Sequence, residues 1–238
     1  MANRIRTKPQ LSVNQLGKYL EATGRGRNNI LRAQKFPNNK GMILHYKEAC
    51  DALIQYLDSD FDDDTLQEHY DQIGNTVPST IRQDGKLKDC LDAIESFQNL
   101  SVEDLEDRLD GVTLIKAEHN PSNGTITING VDISLRPEFY LTATYKKGAP
   151  VKGLIKLYFS RTKPLSDHAG KAIALLSEMF LADLSKPVGA VSRDLVIVID
   201  VCAQKVFTAP KAQAKLRQDI EAACLEISRI WDDIRVDD

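Results

Sequence analysis

The feature that most constrains this chain is a change of residue periodicity near position 112. Upstream, apolar residues recur at roughly helical spacing; downstream, β-branched and aromatic residues alternate in short runs bounded by turn formers. A chain that changes period once in this way must lay helices against a sheet. The expected class is therefore α+β (α/β), with a helical N-terminal region at 1–110 and a mixed β-sheet with flanking helices at 111–238. At 238 residues, the chain can bury a sizeable core.

Within the first region, LSVNQLGKYLEAT places Leu11, Leu16, Tyr19 and Leu20 at helical spacing, with Ser12 or Asn14 as the cap. Gly24-Arg25-Gly26 is read as a break before a second helix, RNNILRAQKF, and HYKEACDALIQYL as a third. The run DSDFDDD at 58–64 lacks the central Gly and terminal Glu of a calcium-binding EF-hand loop, so it reads as a linker or helix cap. Helices follow at about 65–73 and 86–98, and Ser101 opens a capping-box pattern ahead of another.

Beyond the change of period, VTLIKAEH, TITINGVDISLRPEFYLTATYK and VKGLIKLYFSR read as strands, with turns at 120–124 and 146–150. Residues 165–184 and 211–234 read as amphipathic helices. Between them DLVIVIDV is continuously apolar, as a strand buried on both faces is. The expectation is one sheet of four or five strands between 112 and 210.

Charge is strongly segregated. Residues 1–47 carry ten Lys/Arg against the single acid Glu21, whereas 48–110 carry eighteen Asp/Glu against four Lys/Arg. A basic head of this density suits a polyanion, and Arg25, Arg27, Arg32 and Lys35 are the residues expected to face phosphate. The competing expectation is that the head docks on the acidic block of its own chain or of a second copy. The partner is thus nucleic acid, or a protein or homo-oligomer held through the charge-segregated half.

The chemistry-bearing pattern is Pro137-Glu138, seventeen residues, then Lys156, with each partner in a predicted strand. On 131–138, alternation puts Asp132, Ser134, Arg136 and Glu138 on one side. Lys156 stands among apolar neighbours, where a buried cation requires an anionic partner. Asp200, closing the apolar strand, is a further buried acid. This arrangement resembles the PD-(D/E)xK nuclease superfamily over roughly residues 86–210, and the element order is similar to that family's αβββαβ core. The resemblance implies a nuclease that binds Mg2+ through acids and uses a lysine to position or activate the attacking water. It implies Glu138 and Asp200 as metal ligands, with Glu138, Lys156, Asp200 and Asp132 as the catalytic group. The chain departs from the pattern at Leu154, where the family keeps a second acid, so Asp132, Asp200 or Glu95 would have to replace it. Without a replacement, the same residues imply a nuclease-like fold that binds or assembles without cutting, and Glu138–Lys156 becomes a cross-strand ion pair.

Other classes lack their signatures. No GxxxxGK[ST] or GxGxxG loop, GxSxG elbow or His/Cys metal spacing is present. Four scattered cysteines and no apolar run near the ~20 residues of a membrane span suit a cytoplasmic protein. The N-terminal pattern LSVNQLGKYL…RNNILRAQK also looks like that of bacterial proteins. It implies a prokaryotic or phage setting, with defence or mobile-element biology as its natural context.

Overall fold

A computed structural model describes residues 5–37, 45–100, 102–118, 124–144 and 148–235. Eight helices and eight strands are present among them. They make an α+β fold, as the change of period requires.

The first strand, β1 (Gln10–Ser12), leads directly into α1 (Val13–Glu21), whose first turn is capped by Ser12 Oγ accepting from the Gln15 amide. Helix α2 (Gly24–Lys35) begins at Gly24, so the expected glycine break lies inside the helix and the turn is only Ala22-Thr23. Next come α3 (Lys47–Asp58), α4 (Asp63–Gly74), α5 (Ile81–Gln98) and α6 (Val102–Leu109). The aspartate run acts as a cap, because Asp62 accepts from the amides of Asp64 and Thr65. Ser101 and the turn at 120–124 lie outside the described residues, apart from Gly124.

The strands form two sheets, which corrects the expectation of one. A five-stranded sheet runs in the order β2 (Thr113–Lys116), β5 (Phe139–Thr144), β6 (Pro150–Tyr158), β7 (Ala190–Asp200) and β8 (Lys205–Thr208). A three-stranded sheet pairs β1 with β4 (Val131–Ser134), and β4 with β3 (Thr125–Ile128). The β3–β4 hairpin turns on Asn129 and Gly130, with φ of 47° and 80°, the left-handed pair that a tight two-residue turn needs. Only β6 and β7 run parallel in the larger sheet. Their crossover is α7 (Asp167–Asp183), the element a parallel connection calls for.

Two apolar cores lie on the two faces of the larger sheet. On one side Leu154, Val196 and Val198 join α1, α7, the small sheet and α8 (Ala214–Ile230). On the other, Ile155, Leu157, Ile197 and Ile199 join α3 to α6. Residues 195–199 alternate between these cores, which is why their sequence is apolar without a break. The helices of 1–110 are therefore divided: α1 packs on the α7 side and α3 to α6 on the opposite side.

Candidate functional site

Glu138 precedes β5, and the sequence fixes that boundary. Pro137 has no N–H to continue the ladder. The Glu138 amide donates to Ile155 O at 2.9 Å, and its carbonyl accepts from the Ala117 amide at 2.9 Å. Its carboxylate then curls onto β6: Oε2 accepts from the Leu157 amide at 2.6 Å, and Oε1 from Lys156 Nζ at 2.7 Å. The carboxylate thus replaces backbone that β5 does not supply, while neutralising the buried lysine. Glu138 and Lys156 are 8% and 9% exposed, so the pair is inside the protein. The half-buried Cys50 thiol of α3 senses it: burial first, then the Glu138 charge, push that thiol up to about 12.

The other two acids make no hydrogen bond or ion pair with this pair, although Asp200 stands opposite Tyr158 on β7, two positions along from Lys156. Strand β4 ends at Ser134, so the alternation drawn from Asp132 to Glu138 is broken, and Asp132 belongs to the smaller sheet. There it accepts from Thr127 Oγ1 at 2.7 Å and lines a pocket of about 590 Å3 with Arg6 and Lys8. Asp200 is 0% exposed. Its Oδ2 accepts from the Leu165 amide at 2.7 Å and Oδ1 from the Ala203 amide at 3.2 Å. Neither oxygen is hydrogen-bonded or ion-paired to Glu138 or Lys156. Burial raises the Asp200 carboxyl above its usual range, against the pull of those two amides and of Lys205 and Lys18. Glu95 accepts from the Tyr70 hydroxyl. Leu154 is fully buried in the α7-side core.

Mg2+ takes near-octahedral oxygen ligands. A cation at Glu138 would share Oε1 with the lysine ammonium and Oε2 with the Leu157 amide. Leu154 offers no oxygen, and Asp200 already holds two amides. Among the described residues, no three His, Cys, Asp or Glu side chains are grouped to hold a metal.

Helix α2 of the basic head meets the C-terminal helix, while Lys47 at the end of the head pairs with Asp51 of the acidic block. Lys35, 8% exposed, donates to the carbonyls of Trp231, Asp232 and Ile234 at 2.7, 3.2 and 3.2 Å. Arg27 pairs with Glu226 at 3.0 Å and lies over the Tyr19 ring, and Arg32 donates to Arg235 O at 3.1 Å. Of the four expected phosphate contacts, three are thus engaged within the chain, and Arg25 stands exposed. Lysine at a helix C-terminus suits both the unpaired carbonyls and the dipole.

Two clusters escaped sequence reasoning. Lys18 of α1 lies 5.4 Å over the Tyr158 ring, and its ammonium is lowered by burial and then by nearby Lys163, with Asp200 opposing. Arg161, just past β6, bridges Asp89 and Asp92 of α5 at 2.9 and 2.5 Å, and His45 reaches Asp89 at 2.6 Å. Both join residues far apart in sequence, so no local spacing announces them. No protein-family model matches the chain, and no curated protein is significantly similar to it.

Proposed function

We propose that this chain is a non-catalytic subunit that acts by associating with protein, built on a nuclease-like core. The observation that carries the reading is the complete engagement of Glu138: amide, carbonyl and both carboxylate oxygens each have a partner inside the chain. An acid held in this way positions β5 against β6 and neutralises Lys156, each of its carboxylate oxygens holding a partner inside the chain. The relationship to the PD-(D/E)xK superfamily is supported by element order. Helix α6, strands β2, β5 and β6, crossover α7 and strand β7 follow the αβββαβ sequence, with the β3–β4 hairpin inserted after β2.

Association with protein rather than nucleic acid is favoured by the surface. Asp51, Asp58, Asp63, Glu68, Asp71 and Asp107 are exposed on the α3–α6 layer, where they repel phosphate. The prokaryotic defence or mobile-element context implied by the resemblance suits such an accessory subunit. A second reading, an Mg2+-dependent nuclease, rests on the 2.7 Å contact between Lys156 and Glu138.

A gel-shift titration with DNA and RNA, beside light scattering, each at two salt concentrations, tests the proposal. The expected result is no shift at low salt and a mass above that of the monomer, alone or with a protein partner. Binding that weakens with the steep salt dependence of phosphate contacts would overturn it.

A further inference from the structure

We infer that Lys18 and Lys163, which meet at Tyr158, form a binding site for a small ligand carrying a phosphate group; the inference stands independently of the association reading above. The site lies outside the carboxyl ends of β6 and β7, where parallel strands commonly present ligand-binding loops. The buried Tyr158 closes β6 and stands opposite Asp200, the last residue of β7. Lys18 reaches it from α1, its ammonium 5.4 Å from the centre of the Tyr158 ring. Lys163 belongs to the loop between β6 and α7. Its carbonyl accepts from the Tyr158 hydroxyl at 2.7 Å, and its amide donates to Ser160 Oγ at 3.2 Å.

Lys18 is the exception among the lysines of this chain. Among the described residues, Lys18, Lys35, Lys86, Lys152 and Lys156 are buried or half-buried. The last four have oxygen acceptors. Lys35 has three carbonyls, Lys86 the Glu48 carboxylate, Lys152 the Leu184 carbonyl and Lys156 the Glu138 carboxylate. Lys18 makes neither a hydrogen bond nor an ion pair among the described residues, and lies over the Tyr158 ring instead. A desolvated ammonium without an acceptor is costly, and an anionic ligand removes that cost.

The surrounding charges favour the same ligand. Lys163 is exposed, and its ammonium is likewise unpaired among the described residues. Its repulsion of Lys18 outweighs the attraction of Asp200. Asp200 is fully buried with its oxygens on the Leu165 and Ala203 amides, and Lys205 adds a third positive charge near it. Two ammonium groups that repel each other, neither holding an anion, can each donate to a different oxygen of one phosphate. Glu21, exposed at the end of α1, acts on Tyr158 from nearby. That acid leaves room for a single phosphate group but opposes a continuous phosphodiester backbone.

Inorganic phosphate and a sugar monophosphate, titrated by calorimetry at constant ionic strength, test the site. The full chain is compared with Lys18→Met and Lys163→Met variants of native circular dichroism. The wild-type chain should bind one phosphate, and each variant should bind it about tenfold more weakly, the loss of one charge-assisted hydrogen bond. Tighter binding of the sugar monophosphate would mark an ester as the ligand; tighter or equal binding of inorganic phosphate would mark the free ion. Labelling of the wild-type chain keeps the test open should a variant misfold. At about ten times its Kd, phosphate should slow acetylation of Lys18 about tenfold, read by peptide mass spectrometry, and leave the exposed Lys171 unchanged. Acetylation of Lys18 that phosphate does not slow, or phosphate binding that both variants retain, overturns the site. A single-stranded oligonucleotide that binds the wild-type chain and loses affinity in both variants overturns the assignment to a small ligand.

Discussion

The start of β5 and the end of β7 each bury a carboxylate, and they satisfy it by different means. At Glu138 one oxygen meets a lysine and the other an amide of the neighbouring strand. At Asp200 both oxygens meet amides, one from the loop before α7 and one from the turn after β7. The first solution fastens two strands that are already paired. The second fastens two loops to the end of β7, with no formal cation bonded to the acid. The difference teaches that a buried acid at a strand end is not evidence of a catalytic centre until its partners are counted. The two acids that the resemblance groups as metal ligands have different hydrogen-bond partners here.

The largest expected effect lies at the ion pair. Lys156→Met leaves the Glu138 carboxylate buried with only one amide, and Glu138→Gln leaves a buried ammonium without its counter-charge. Each should cost about 3–5 kcal/mol in urea unfolding, as breaking one side of a buried pair does. The double variant should return to within about 2 kcal/mol of wild type, because glutamine still accepts from Leu157 and no charge remains. Single losses near zero would mean that the pair is hydrated, and the contrast with Asp200 would collapse.

A smaller effect is expected at Asp200. Asp200→Ala orphans two amides, at about 1–3 kcal/mol each before local rearrangement or water relieves them, so about 2–4 kcal/mol in all. The pH dependence has a definite sign. The folded carboxyl titrates above its unfolded value of 3.8, so the folded state takes up its proton first as pH falls. The stability from this group is fully present below the unfolded value and is lost as pH rises through the folded one. Unfolding at pH 4 and pH 8 should therefore show a larger penalty for Asp200→Ala at pH 4. The opposite trend would show that an ion pair, with Lys18 or Lys205, dominates over burial.

Much of this was legible in the sequence, and the exceptions share a cause. Strand alternation around Lys156, with Pro137 ahead of Glu138, pointed to an acid and a lysine meeting across β5 and β6, and they do. The unbroken apolar run before Asp200 pointed to burial on both faces of the sheet, and β7 has it. Ser12 and Asp62 cap their helices as the sequence suggests. What could not be read was which distant segment answers each group. Strand β1 pairs with β4, Gln10 beside Asp132, and Lys35 reaches carbonyls some two hundred positions away. Periodicity tells a helix which face to bury, but not against which side of a sheet, so the division of α1 and α3 to α6 between two cores had no local signal. The second sheet did have one, for Asn129-Gly130 inside TITINGVDIS marks a hairpin that ends before Glu138. Reading it would have separated Asp132 from the pair at once.

The central claim is that Glu138 and Lys156 hold the sheet together and do not cut a phosphodiester. Its most direct test is cleavage of linear double-stranded DNA, single-stranded DNA and RNA by the purified chain with Mg2+ or Mn2+, compared with Lys156→Met under the same conditions. The account predicts no cleavage by either protein above a metal-free control. Metal-dependent cleavage by the wild-type chain, abolished in a Lys156→Met variant of native circular dichroism, would contradict it.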